Sequence, residues 1–537
     1  MHFIRQIEVA SAAEASLCSH MTPPAARRLI LVFTLLASLA RAAAPDYATP
    51  RFTDPKREER LRSVLPEIDK IFTDAAAERH FPGLVWAIML DGRVVHTGAL
   101  GYANLEKKIP ASAVDTRFRI ASMTKSFTAL AILKLRDAGK LSLHDTVARH
   151  IPDFRHVTPL TADAPPVTIR HLLCMAAGFP EDNPWGDRQL AVSVEQLHAF
   201  LRGGLSLSTT AGTTFEYSNL GYALLGQIVT NLAGEPYQRY ITREILEPLE
   251  MRDTRWEFSE VPADKLALGY RWATDHWELE PLLHDGTYGA MGGLLTTIPD
   301  LARYVALHLS AWPTRNDPDT ALVRRTSLRE MHQPAIVSSL STSAKTLSGE
   351  PNPQAVGYAF GLRWSLDSKR VVSVGHSGGL PGFGSNYQFF PDHGFAVISF
   401  ANVTYAGAAA INSRVAAVLL EKAALPARKI PVSPILATRR QQVAELIQKD
   451  WPAALADAIA GENFFPDRSR DAWRKLTQEN LAKAGAIHSV GEIVPENQLR
   501  GTFPLVTDKG RIDVYFTLTP EAVPKLQQLR LTFVPKS

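Results

Sequence analysis

Residues 371–383 read VVSVGHSGGLPGF and contain the pattern G-x-S-x-G centred on Ser377. That pattern is the nucleophile elbow of α/β-hydrolases when a strand leads into it and a helix follows. VVSVG supplies the strand. Gly378, Gly379, Pro381, Gly382 and Gly384 then come within seven residues, and a helix does not propagate through so many breakers. The elbow also needs an acid and then a histidine downstream. Only His393 and His488 remain, the latter beyond a shift in composition. Ser377 is therefore read as a strand residue among small neighbours, and the nucleophile is sought elsewhere.

It is found in FRIASMTKSFTALAIL, residues 118–133. Ser122 and Lys125 stand three apart, so on a helix they share a face. Ser122 falls in the first turn, where the helix dipole favours developing negative charge. The apolar run behind it puts the Lys125 amine in dry surroundings. A solvated lysine titrates near ~10.4 and is a poor base at neutral pH, but desolvation lowers that value. A neutral amine one hydrogen bond from a hydroxyl takes its proton. An isolated S-x-x-K arises about once by chance in a chain of this length, so the pair draws its meaning from its company. FEYSNLGYALLG, residues 215–226, provides it. Tyr217 accepts and returns protons if nearby cations depress its pKa, and the Asn219 amide both donates and accepts. A second Y-x-N, Tyr102 to Asn104, precedes Ser122 directly after a predicted hairpin and is set aside.

In order, SMTK (122–125), YSN (217–219) and HSG (376–378) resemble the three motifs of the serine β-lactamase and penicillin-binding family. The likeness is to its branch of class C β-lactamases, D-alanyl-D-alanine carboxypeptidases and esterases. VTIRHLLCMAAGFP (167–180) and GAMGGLLTTIPDLARYV (289–305) are similar to stretches that flank those motifs. The resemblance spans about residues 60–420. It implies Ser122 as the nucleophile of an acyl-enzyme, with Lys125 and Tyr217 sharing the proton traffic and Tyr217 as the base in deacylation. It implies an oxyanion hole at the backbone N–H groups of Ser122 and Gly379. Asn219 would hold the amide side of the substrate. His376 and Ser377 would orient Tyr217 or bind a substrate carboxylate. Gly378 and Gly379 would let substrate lie along an edge strand. No metal and no cofactor is called for. The family carries K-T-G or H-T-G where HSG stands. His376 is mostly neutral at pH 7, which favours a D-alanyl peptide or small ester over a β-lactam. The rival reading is a non-catalytic ligand-binding or structural module that keeps the fold.

The rest of the 537 residues fits an exported enzyme. Hydrophobic residues are 45% and charged residues 21%, an ordinary globular balance. The net charge of +4 comes without Lys/Arg runs, which argues against a nucleic-acid partner. The partner expected is a small-molecule or peptide substrate; oligomeric state is left open. Cys18 and Cys174 build no disulfide framework, and no C-x-x-C or H-E-x-x-H metal signature occurs. Arg27 and Arg28 precede LILVFTLLASLA (29–40) and then RAAAP, a signal-peptide pattern too short to span a membrane. Met21 is read as the start, with cleavage near Ala42 to Ala44 and a periplasmic or secreted product.

Strand-like runs flank Asp91-Gly92, a strong hairpin signal, and recur after residue 360. Between them, SFTALAILKLRDAG (126–139) and LGYALLGQIVTNLAG (220–234) read as buried helices ending in glycine. The fold expected is α+β, a β-lactamase-like antiparallel sheet flanked by helices with a mainly helical subdomain, over residues 45–425. A proline-rich linker (426–436) and a small α+β domain (437–537) follow. Trp185, Tyr288 and Phe383 are candidate pocket linings. Cys174 reads as a small buried hydrophobe, and His171 as structural.

Overall fold

The computed structural model describes residues 47–319 and 321–536; the leader read at residues 21–44 and Cys18 lie outside them. The chain divides between two compact units, one of them Thr49–Pro431 and the other taking in Val432 onward. The stretch 426–436 is not a free linker. Lys429 pairs with Arg51, the Arg428 N–H donates to the Asp392 carbonyl, and Ser433 caps a helix that starts at Pro434.

The first unit is built on a nine-stranded sheet. Its strands are β1 (Gly83–Leu90), β2 (Arg93–Asn104), β3 (Ile109–Pro110), β4 (Ile336–Ser341), β5 (Gln354–Tyr358), β6 (Arg363–Asp367), β7 (Val372–Leu380), β8 (Phe383–Phe390) and β9 (Phe395–Ala401). They lie in the order β3-β2-β1-β9-β8-β7-β6-β5-β4, each antiparallel to its neighbours. Asp91 and Gly92 join β1 to β2 with φ of 50° and 78°, the left-handed pair that a tight twisted hairpin requires. β1 pairs on its other side with β9, so the sheet joins the two ends of this unit.

All eight residues of β1 are buried because the sheet is covered on both faces. Val85, Ala87 and Met89 enter the core on the helical side. Leu84, Trp86, Ile88 and Leu90 enter the core on the other. Side chains alternate across a strand, so a run apolar at every position serves two cores at once. The principal helices are α1 (Leu65–Glu78), α2 (Thr124–Asp137), α3 (Asn219–Ala233), α4 (Ile298–Ser310) and α5 (Ala408–Ala417). Helix α1 and α5 cover the second core; α2, α3 and α4 build the first. Gly139 and Gly234, with φ of 72° and 71°, end the chain's run through α2 and α3 in the conformation that glycine tolerates.

The second unit carries helices Pro434–Gln448, Ala453–Ile459 and Arg470–Ala484, then a five-stranded antiparallel sheet between Ile487 and Pro535. Trp451, Phe464 and Trp473 stack at its centre.

Candidate active site

Ser122 lies in a single 3-10 turn, Ala121–Met123, which runs into α2 at Thr124. It therefore precedes the α-helix proper instead of sitting in its first turn. Ala121 has φ of 50°, which costs a non-glycine residue about 1–3 kcal/mol. The turn is pinned from both sides. The Ser385 hydroxyl donates to the Ile120 carbonyl (2.8 Å), and the Ile120 N–H donates to the Leu294 carbonyl (2.9 Å).

Lys125 is fully buried. Its Nζ lies 2.9 Å from Ser122 Oγ, 2.6 Å from Asn219 Oδ1 and 3.0 Å from the Met291 carbonyl. The last two are pure acceptors and must each receive an N–H. A neutral amine has two N–H bonds and one lone pair, so these acceptors turn the lone pair toward the Ser122 hydroxyl. Burial brings the Lys125 pKa down from 10.5 to about 7. Asp187, Asp182 and Glu181 pull it back up, and Arg363 pushes it further down.

Tyr217 is buried, and its ring centroid lies 4.9 Å from Lys125 Nζ and 5.8 Å from the Arg363 guanidinium. Burial raises its pKa; the Ser122 hydroxyl and Arg363 oppose this without overcoming it. The expected depression by cations is thus outweighed by desolvation. Tyr217 stands as a phenol, suited to giving a proton before taking one, which removes the basis for making it the free base of deacylation.

Asn219 also departs from its expected role. Its Oδ1 is held by Lys125, and its Nδ2 donates to Asn183 Oδ1 (2.5 Å) and Asp187 Oδ1 (3.2 Å). Both N–H bonds of the amide are committed to the protein and its oxygen positions Lys125, so it has no free donor for a substrate. Asp182 accepts the Asn219 and Leu220 N–H groups (2.7 and 2.8 Å), while Ser218 caps α3.

HSG lies on β7, the sixth strand of nine and not an edge strand of the sheet. Pairing with β6 nevertheless stops at Gly375, opposite Arg363, while pairing with β8 continues to Leu380. From His376 to Leu380 one side of β7 is open, which gives an interior strand the free edge expected of an outer one. The glycines have another reason than the one expected. A Cβ on Gly378 would overlap the Ile120 carbonyl oxygen, and one on Gly379 would meet the Tyr405 ring at 2.7 Å. Gly378 lets β7 close against the turn that carries Ser122, and Gly379 leaves room for the Tyr405 ring.

His376 is buried beside that turn. Its Nδ1 donates to the Ser377 carbonyl (2.6 Å) and its Nε2 accepts from the Tyr358 hydroxyl (2.9 Å). Burial, Arg363 and Lys125 all hold its pKa well below the usual histidine value. It is a neutral, fully bonded imidazole and not a cation for a carboxylate. Ser377 points to the other face of β7, where its Oγ accepts from Asn386 Nδ2 (3.1 Å). Asn386 in turn holds Asn412 of α5 (2.7 Å). That hydroxyl braces sheet against helix and does not face Ala121. Arg363 is the group in position to act as a cation. It is exposed where the open edge begins, and among the described residues it has no ion-pair partner.

Asp182, Asn183, Asp187, Met291, Tyr358, Arg363 and Tyr405, whose hydroxyl donates to Asp187 Oδ2 (2.8 Å), were not singled out from the sequence. They reach the site from loops and strands distant in the chain. His393 is in the β8–β9 turn, bonded to the Leu425 carbonyl (2.8 Å). His171 caps its own helix with Thr168. Cys174 is buried, its thiol pushed up to about 11. Tyr288 and Phe383 are buried, whereas Trp185 is 47% exposed.

The family model described as Beta-lactamase matches residues 68–421. Protein flp of Staphylococcus aureus (strain NCTC 8325 / PS 47) is 30% identical over 347 residues, 63% of this chain, and the match spans 63% of that relative's length. The octameric penicillin-binding protein homologue from Pyrococcus abyssi aligns over 87% of this chain and 100% of its own, with TM-score 0.56 and 23% identity. A class C beta-lactamase aligns over 68% of this chain and 98% of its own, with TM-score 0.52 and 20% identity. The last two likenesses concern the fold.

Proposed function

The chain belongs to the beta-lactamase family, and on that premise we propose that it is an exported serine hydrolase that works through an acyl-enzyme on Ser122. Its substrate is a D-alanyl peptide or small ester bearing a carboxylate. The observation that carries the reading is the contact between Ser122 Oγ and a buried Lys125 amine whose other acceptors are spoken for. Half of such an amine is neutral near pH 7, so a general base is present without a histidine.

Lys125 takes the Ser122 proton as Oγ attacks the carbonyl carbon. The oxyanion that forms lies between the N–H groups of Ser122 and Gly379; one such donor contributes ~3 kcal/mol to the transition state. The Tyr217 phenol gives its proton to the leaving group and is replenished from Lys125. Water then attacks the ester with Lys125 again as base, and Ser122 is restored. Arg363 holds the substrate carboxylate at the mouth of the open β7 edge, the task assigned to His376 and Ser377 from the sequence. Planar, permanently charged guanidinium suits a carboxylate better than a buried neutral imidazole. Export rests on the leader-like run at 29–40.

Incubation with a fluorescent penicillin and with p-nitrophenyl esters, followed by peptide mapping, tests the reading. An adduct on Ser122 that Ser122→Ala abolishes is expected. No adduct and no turnover of ester or D-alanyl peptide would leave the non-catalytic module.

A further inference from the structure

Beside the site, the loop 179–188 and the start of α3 enclose a cavity of about 440 Å³. Phe179, Trp185, Phe200 and Leu220 wall it, and Glu181 and Asp182 are its charged lining; no lysine, arginine or histidine lines it. The Trp185 and Phe200 rings lie 5.8 Å apart and remain 47% and 41% exposed. Two large rings left facing one cavity mark a surface kept for a ligand. The two carboxylates differ. Asp182 has both oxygens occupied by the α3 N-terminus and Ser218. Glu181 is exposed and held only by Asn183, whose N–H donates to Oε1 (3.2 Å) and whose side chain also bonds it. Its two carboxylates tie the cavity to the site: Asp182 accepts the Asn219 N–H (2.7 Å), and Asp182 and Glu181 both act on the charge of Lys125.

We propose that this cavity is a cation subsite, which takes an ammonium group carried by the acyl part of the substrate between the Trp185 and Phe200 rings and the Glu181 carboxylate. Aromatic faces attract a cation through their quadrupole, and a carboxylate at the rim adds to the selection. A neutral apolar chain would bring no charge to meet the exposed Glu181 carboxylate, and an anion would be repelled by both carboxylates. Together with Arg363 this makes the preferred substrate doubly charged, its carboxylate in the leaving group and its ammonium in the acyl group. The inference rests on the serine-hydrolase reading above.

The test compares two p-nitrophenyl esters of the same shape, 4-(trimethylammonio)butyrate and 5,5-dimethylhexanoate, on the full chain and on its Trp185→Ala and Glu181→Gln variants. A kcat/KM ratio of roughly tenfold or more in favour of the cation is expected, falling at least threefold in each variant. Equal kcat/KM for the two esters overturns the subsite while leaving the hydrolase reading intact. A cation preference unchanged in both variants also overturns it, since the charge is then recognised elsewhere. Acylation of Ser122 by neither ester overturns the hydrolase reading itself.

Discussion

Replacing Lys125 with methionine separates the two consequences of burying an amine. The pKa of about 7 in place of 10.5 means that folding at pH 7 carries a penalty of about 4 kcal/mol for this group. Methionine removes that penalty and fills similar space. It also strips Asn219 Oδ1 and the Met291 carbonyl of a donor, at about 1–3 kcal/mol each. The two effects nearly cancel, so Lys125→Met should abolish acylation with little net change in stability at pH 7. The pH dependence is the cleaner signal. An unfolded lysine keeps its proton up to 10.5, whereas the folded one sheds it above 7. Stability gained through this group therefore rises with pH across that window, by about 1.4 kcal/mol per unit, and is flat below 7. Hydrogen–deuterium exchange of α2 peptides, corrected for intrinsic rates and measured from pH 7 to 9.5 in mild urea, reads that slope apart from the Val432–Ser537 region. Tyrosines and Cys174 titrate equally in both proteins and drop out of the difference. Identical slopes in wild type and Lys125→Met would refute a depressed lysine.

Other consequences are open to simpler measurements. Ser122→Ala should lose all labelling by a fluorescent penicillin, while Ser377→Ala, whose hydroxyl only braces Asn386, should keep more than a tenth of the wild-type rate. Arg363→Gln should raise KM for a D-alanyl peptide about tenfold while changing KM for a neutral p-nitrophenyl ester less than twofold. Gly378→Ala should cripple acylation without replacing any polar group, because the added methyl meets the Ile120 carbonyl and the Ser385 hydroxyl beside Ser122; rates beyond half of wild type would contradict the packing described. Acid should loosen the sheet's helical side. His308 and His332 are buried and bonded to each other (2.7 Å), and Trp312 donates to His332 (2.9 Å). Burial takes His308 down to about 3. Below 6.5 the unfolded histidine binds a proton that the folded one refuses, so stability falls by about 1.4 kcal/mol per unit from there toward 3. Urea midpoints should drop through this range, and less steeply in His308→Leu.

What could be read from the sequence was local. Ser122 and Lys125 share one turn, the Asp91-Gly92 hairpin and the glycines after α2 and α3 mark their own ends, and the chain-spanning sheet follows from strands at both ends of the unit. The acids around Lys125 arrive from a loop sixty residues on, and no spacing links Asp187 to Ser122. Arg363 left one trace, a lone cation in the apolar run GLRW. His376 was misjudged because a motif tells which strand a residue occupies but not how deeply it is buried; at 2% exposure with two bonded nitrogens it cannot offer a charge. The role of Tyr217 as a base turned on a balance of magnitudes, since complete burial outweighs the Ser122 hydroxyl and the Arg363 cation. Ser377 was assigned to substrate although its hydroxyl meets Asn386, and Gly378 and Gly379 also make room for Ile120 and Tyr405.

The most direct test is a titration of the amine itself. With lysines labelled at the Cε carbon, heteronuclear NMR should show one signal that moves with a midpoint near pH 7 and is missing from Lys125→Met. If every lysine signal in the folded protein titrates above pH 9, the amine beside Ser122 is charged at neutral pH and the mechanism fails.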